Sequence, residues 1–253
     1  MKGLIVIKRD YHLHPNLLKK PEQADLFIER AIELGFGEIC FTDHMPYSVT
    51  GDEHDRIPFG MVGEYCKKVR EKAAEYKDKI IIRTGIEIDY HPQSISEIET
   101  VLDSGDFDYV LGSSHLNIKG YGIKMNKTTR AEFAKMVLEN YLSAVNSGYF
   151  DALSHLDIYR WVFSEFTLAD DDYSYKSNIG LINKIFSALE KTGVKLEINA
   201  AALYKGFDKL GPYPETEIIK LSKDYNIGYI YGSDAHTFDK LGYGYDKCME
   251  LIK

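Results

Sequence analysis

Short apolar runs alternate along the chain with longer stretches in which apolar residues recur every three or four positions. The short runs predict strands near Leu4–Ile7, Glu38–Thr42, Ile80–Thr84, Tyr109–Gly112, Asp151–Ser154, Lys195–Ile198 and Ile227–Tyr231. From Pro21 the spacing turns helical, with Ala24, Phe27, Ile28, Ala31 and Ile32 on one face, Glu22 and Asp25 in the first turn and Gly35 at the end. Further helices are predicted near Val62–Lys77, Ser94–Ser104, Thr129–Ser147, Asn178–Thr192, Pro214–Tyr225 and Tyr245–Ile252, and Ser94 with Glu97 reads as a capping box. The stretch Met45–Gly60 is polar, rich in turn residues and long for a strand-to-helix connection, which marks it as a functional loop.

Seven strand–helix units in strict alternation predict a parallel sheet, and at 253 residues a closed or nearly closed barrel is its natural form. The eight-stranded TIM-type barrel is the nearest rival. No repeat, linker or break in composition divides the chain, so residues 1–253 are expected to form a single domain.

Charge and cysteine content narrow the partners. With 31 Lys+Arg against 39 Asp+Glu the net charge is −8, which argues against a nucleic-acid surface and fits bound cations or a cationic substrate. Cys40, Cys66 and Cys248 form no Cys-x-x-Cys pair and read as reduced packing residues, not as a disulfide framework or a thiolate metal site. No run is long enough for a signal-peptide core or a membrane span, so a soluble cytoplasmic protein without a membrane partner is expected. Its oligomeric state is not legible.

Candidate chemistry gathers at the strand ends. The run Ile227–Tyr231 leads into Gly232-Ser233-Asp234-Ala235-His236, where a carboxylate and an imidazole two residues apart point the same way. His12 and His14, Asp43-His44, Glu87, His115 and His155 recur in the same place on other strands, and six of eight histidines lie at strand ends. In a barrel those ends converge on one face. So many imidazoles beside acids are costly without cations, and a nitrogen–oxygen donor set suits zinc, iron or manganese. The ligands outnumber the needs of one ion, so two or three divalent ions sharing a carboxylate are expected, a type of centre that activates water and clamps phosphoryl groups.

His12-Leu13-His14, Phe41-Thr42-Asp43-His44, Gly85-Ile86-Glu87-Ile88-Asp89-Tyr90, Gly112-Ser113-Ser114-His115, Ser154-His155-Leu156-Asp157 and Gly232-Ser233-Asp234-Ala235-His236 together resemble, in order and across essentially the whole chain, the polymerase-and-histidinol-phosphatase (PHP) family. Glu87–Pro92, Phe107–Gly112 and Gly242-Tyr243-Gly244 resemble its monofunctional histidinol phosphatases. The resemblance implies a distorted seven-stranded (β/α)7 barrel and a metal-dependent phosphomonoesterase acting on L-histidinol phosphate. It implies one ion on His12, His14, Glu87 and Asp234, a second on Glu87, His115 and His155, and a third on His44, His236 and a loop ligand. Where family members often carry His or Asp for that last ligand, this chain has Lys20, which cannot ligate while protonated; Glu22 is the nearest substitute.

Around this centre Asp234 or His236 is the candidate to orient water or protonate the leaving alkoxide. Arg160 is the candidate phosphate clamp, because a planar guanidinium suits phosphate oxygens. Asp43 is read as lying behind the ligands, Asn199 as reaching the rim, and Asp55 and Arg56, with Asp52 and Glu53, as covering the substrate. The rival functions are a phosphatase or phosphodiesterase of nucleotides or other small esters, a proofreading-type nuclease, and a non-catalytic metal-binding module. The lack of a basic stripe argues against the nuclease.

Overall fold

The computed structural model describes residues 7–46, 56–58, 60–115, 127–165, 173–206 and 208–253. Seven parallel strands stand side by side in chain order: β1 (Lys8–Leu13), β2 (Phe36–Phe41), β3 (Ile81–Asp89), β4 (Tyr109–Ser113), β5 (Ala152–Leu153), β6 (Lys195–Asn199) and β7 (Tyr229–Gly232). Beyond the ladders, Asp234 N donates to His12 O and His14 N to Ala235 O, each at 2.9 Å, and these bonds join the last strand to the first. The result is a nearly closed, distorted (β/α)7 barrel.

Helices wrap the outside: α1 (Pro21–Glu33), α2 (Val62–Glu75), α3 (Ile95–Ser104), α4 (Arg130–Val145), α5 (Tyr159–Glu165), α6 (Ile179–Thr192), α7 (Ala201–Tyr204), α8 (Thr216–Ser222) and α9 (Tyr245–Glu250). α1 buries Ala24, Phe27, Ile28 and Ala31, the face its spacing marks out, and starts with Pro at the position where a missing N–H costs nothing. α4 carries a complete capping box between Thr129 and Glu132. The box expected at Ser94 does not form: a 3-10 turn over Pro92–Ser94 leads into α3, and the Ser94 side chain caps nothing.

The first described strand lies beyond the apolar run Leu4–Ile7. Leu4–Val6 lie outside the described residues, and the strand runs over Lys8–Leu13, whose inward positions include Asp10 and His12, both fully buried. A strand that turns polar groups inward does not show the apolar alternation by which strands are read. No described helix is long and apolar enough to cross a membrane, and all three cysteines are buried and unpaired.

Candidate metal centre

Each strand end delivers its side chain through a local device. Asp234 sits at φ 56, a left-handed conformation unusual for a residue with a Cβ, and is held there by its N–H bond to His12 O and by the Tyr204 hydroxyl on its own carbonyl (2.8 Å). The loop after His14 turns through Asn16, also left-handed at φ 54, and the Asp43 carboxylate fastens it by accepting from Asn16 N and Leu17 N at 2.9 Å each. Asp43 therefore does lie behind the ligands, as a support for the His14 loop.

Glu87 is the hub. Its Oε2 lies 2.7 Å from His44 Nδ1, 3.4 Å from His12 Nε2 and 3.5 Å from His14 Nε2. Its Oε1 lies 2.9 Å from His155 Nε2 and 3.9 Å from His115 Nε2. Asp234 Oδ1 is 3.4 Å from His14 Nε2 and 3.8 Å from His12 Nε2. Ligand atoms at about 2.0–2.1 Å from a tetrahedral ion stand about 3.3 Å apart, and the 3.4–3.5 Å spacings among His12, His14, Glu87 and Asp234 suit atoms that would converge on one cation. The donor groups overlap as His12–His14–Asp234, His12–Glu87–His155, His44–Glu87–His115 and His14–His44–His236. All eight residues expected as ligands are thus brought together.

The polar atoms left over fit metal. His12 Nε2 and both ring nitrogens of His14 are buried without a hydrogen-bond partner, an arrangement that costs on the order of 1–3 kcal/mol per group unless something binds them, while His44 Nδ1 and Glu87 Oε2 meet only each other, at 2.7 Å. Burial would raise the Glu87 carboxyl, but the charges of His44, His12 and His115 hold it well below the usual carboxylate range. His12 is pushed well above an ordinary imidazole because Glu197, Glu87 and Asp234 overcome its burial, and His115 rises to about 9 against burial through Asp89 and Glu87. His14 goes the other way: burial and the neighbouring His44 and His236 keep it neutral. The cluster is a set of anions holding protons where cations would serve.

Behind the ligands lies a layer that sequence reasoning missed. His12 Nδ1 bonds Glu197 Oε1 at 2.6 Å, and the other Glu197 oxygen accepts from His155 N at 2.8 Å. His115 Nδ1 bonds Asp89 Oδ1 at 2.7 Å, and His155 Nδ1 faces the Tyr141 hydroxyl at 3.2 Å. Each bond fixes the imidazole so that Nε2 turns to the centre. Gly232 makes room for the first of these, since a Cβ there would strike Glu197 Oε1 and approach His12 Cβ to 2.6 Å. The available signal was a lone acid, Glu197, inside the apolar run Leu196–Ile198, fully buried in the fold.

Glu197→Gln tests that layer. A glutamine can turn its NH2 towards His12 Nδ1 and force the ring proton onto Nε2, where the metal should bind. Metal affinity is expected to fall about 10–100-fold with little change in fold. Competition against a chromophoric chelator measures it, and an unchanged affinity would remove Glu197 from the centre.

The remaining expected residues divide. Asn199 is fully buried, with its amide nitrogen on Glu197 Oε2 (3.0 Å) and its oxygen on Ala201 N (2.9 Å), so it steadies Glu197 in place of reaching the rim. Arg56 bonds Asp89 Oδ2 at 2.7 Å and Met45 O at 3.2 Å, which couples the loop to the His115 support. Arg160 is buried, pairs through Nε with Asp157 Oδ2 at 2.9 Å, bonds Pro212 O through Nη2 and lies 4.5 Å over the Tyr213 ring, while Nη1 has no partner. Lys20 shares the wall of a cavity of about 140 Å³ with His14, Asn16, Gln23 and His236. Asp55, Asp52 and Glu53 lie outside the described residues.

A family model described as "PHP domain" matches residues 10–201. A protein named "Probable histidinol-phosphatase" from Thermotoga maritima is 30% identical over 246 residues, 96% of this chain and 91% of that protein. The "Histidinol-phosphatase" of Bacillus subtilis is 26% identical over 268 residues, 96% of this chain and 98% of that protein. Among solved structures, histidinol phosphate phosphatase from Lactococcus lactis, complexed with zinc, L-histidinol and phosphate, superposes with a TM-score of 0.78 at 24% identity, covering 97% of this chain and 92% of that one.

Proposed function

The chain belongs to the PHP domain family, and from that premise we propose that it is a metal-dependent phosphomonoesterase that hydrolyses L-histidinol phosphate to L-histidinol and phosphate, a step of histidine biosynthesis. The observation that carries the reading is the cluster of eight nitrogen and oxygen donor residues in which five imidazoles surround Glu87, in a chain whose curated histidinol-phosphatase relatives align along nearly their whole length.

Zinc, iron or manganese suits this donor set, and when bound such ions lower the pKa of water and offset charge on phosphoryl oxygens. Glu87 holds the ligand sets in register from both of its oxygens. His236 is the most open of the described imidazoles at the centre, with a side chain 40% exposed. Burial, with His44 and Lys205, keeps it below the ordinary imidazole value against the pull of Asp234, so at pH 7 it is neutral and can accept a proton. His236 and Asp234 orient the attacking water, and Arg160 contacts a phosphate oxygen through its unpartnered Nη1.

Purified protein should be assayed on histidinol phosphate, nucleoside monophosphates and an aryl phosphate. We expect kcat/KM for histidinol phosphate to lead by on the order of a hundredfold, the discrimination a pocket built around a substrate's polar groups supplies. Equal rates across the panel, or a nucleotide preference, would overturn the assignment of substrate.

Two ions per chain is the count the ligands support. His12, His14, Asp234 and Glu87 make one set, and Glu87, His155, His115 and His44 a second. His236 remains, with Lys20 in the cavity wall beside it. A third site that must borrow His14 or His44 should be weaker, because fewer fixed ligands offset dehydration of the ion. Dialysed protein is expected to keep about two ions, and Lys20→His to raise the count towards three. Elemental analysis of both proteins decides this, and three tightly held ions in the unmodified chain would refute it.

A further inference from the structure

The run Gly242-Tyr243-Gly244 supplies no ligand to the centre, yet a buried acid ties it there. Asp10 is fully buried on β1, two residues before His12. Its carboxylate accepts backbone N–H groups from three places: Oδ1 takes Ser233 N at 2.9 Å and His12 N at 3.4 Å, and Oδ2 takes Gly242 N at 3.2 Å. The Tyr243 carbonyl accepts the Tyr231 hydroxyl at 2.7 Å, and the Tyr243 ring meets that of Tyr204 edge-on at 5.4 Å. Tyr204 in turn donates its hydroxyl towards Ser233 O (3.2 Å) and Asp234 O (2.8 Å). These contacts close a circuit around Ser233 and Asp234. Gly242 must be glycine for it, because its φ is 70 and a Cβ would meet the Phe36 ring at 2.7 Å.

Closing the barrel does not explain a carboxylate at this place. The seam between β7 and β1 has backbone bonds of its own, Asp234 N to His12 O and His14 N to Ala235 O, and an acid taken out of water there is costly. What does need holding is Asp234. Its left-handed backbone, at φ 56, is a conformation that persists in a residue with a Cβ only where the surroundings over-determine it. Asp10 fixes the amide of the residue before it, through a charge-assisted bond, and Tyr204 fixes its carbonyl. Held in this way, Asp234 Oδ1 stands 3.4 Å from His14 Nε2 and 3.8 Å from His12 Nε2.

We propose that Asp10, braced by the Gly242–Gly244 loop and Tyr204, is a positioning residue that sets the Ser233–Asp234 turn so that Asp234 Oδ1 completes the ion site of His12, His14 and Glu87, a role that rests on the metal-dependent reading above. Asp10 touches no ligand atom and acts through backbone amides alone. The other set, Glu87, His155, His115 and His44, draws nothing from this turn. The brace therefore bears on one ion of the two, and that asymmetry separates positioning from a general contribution to stability.

The test is zinc binding by the whole chain, resolved into its two steps by competition against a chromophoric chelator. Asparagine in place of Asp10 keeps the volume but turns an NH2 towards one of the two amides it must accept from. Asp10→Asn is expected to weaken one step about 10–100-fold and to spare the other, which His155→Gln identifies by weakening it. Asp151→Asn is the control: Asp151 Oδ2 accepts Val110 N at 2.8 Å where β5 begins, at the end of the barrel away from the ligands, so it should lower the thermal midpoint with both steps intact. Two unchanged steps in Asp10→Asn, or two steps weakened alike, would overturn the proposal and leave the metal reading standing. If Asp10→Asn does not fold, hydrogen exchange in the unmodified protein decides. A brace that aids binding is itself tightened by binding, so the Ser233 and Gly242 amides should exchange more slowly once zinc is bound, and equal exchange with and without zinc would refute the coupling. No substrate enters these measurements, so loss of the histidinol phosphate assignment leaves the brace in place, whereas an unmodified protein that binds no divalent ion ends the metal reading and this role together.

Discussion

Exhaustive chelation is expected to abolish hydrolysis of histidinol phosphate, and readdition of zinc, manganese or iron(II) to restore it. The reason lies in what the centre holds without cations. Glu87, Asp234 and Asp89 are kept ionised in the interior by neighbouring imidazoles and, for Asp234, by Lys205 as well, while His12 and His115 are pushed up to carry protons. Such a cluster can be electrically balanced by protons, so the metal-free chain should still fold. It then lacks any group able to lower the pKa of water at neutral pH, a shift from about 15.7 to about 7 in metal sites of this kind.

Two accompanying signals separate this outcome from simple denaturation. Metal binding must displace the protons on His12 and His115, so titration in weak buffer should release protons, and affinity should rise with pH towards about 9, the His115 value. Binding should also stabilise the fold by about 2.7 kcal/mol at a free metal concentration a hundred times Kd, which a thermal melt reads. Full activity in a sample verified to be metal-free would end the mechanism.

The candidate ligands are legible in the sequence as a cluster because metal chemistry restricts residue type and barrel geometry restricts position. His12, His115 and His155 stand at strand ends where no packing role calls for an imidazole, and their recurrence at successive strands gives the pattern away. Glu197 and Asp89 carry no such mark. A lone acid inside a strand is chemically ambiguous until its neighbours across the sheet are known, and Glu197 meets His12 across 185 residues of sequence. Tyr141 is hidden more deeply, since its place on the buried face of α4 is what any core tyrosine shows.

The cations were harder to place for a related reason. Arg160 stands out in the sequence because guanidinium suits phosphate, and Arg56 because it lies in a long polar loop, but an arginine also satisfies buried carboxylates, and here Asp157 and Asp89 take part of that capacity. The fold was readable from strand–helix alternation, whereas α5 and α7 are shorter than the windows over which helical periodicity accumulates.

Glu87→Gln is expected to be the most damaging single substitution in the chain, with turnover down on the order of a thousandfold and both ions weakened together. Glu87 is the residue whose two oxygens face both ligand sets: Oε2 towards His12, His14 and His44, Oε1 towards His155 and His115. Glutamine fills the same volume, so packing around the fully buried side chain is preserved, but it removes the one negative charge that faces both ligand sets. It also replaces one acceptor oxygen with an NH2 that points donors at imidazole nitrogens meant for metal. The loss should therefore appear in metal content before it appears in shape: fewer ions by elemental analysis, an unchanged circular dichroism spectrum, and a thermal midpoint near that of the metal-free wild-type protein. His155→Gln, which touches one oxygen of the hub, should lose metal less completely. A Glu87→Gln protein with its full complement of ions and a normal rate would show that the carboxylate does not join the two ligand sets.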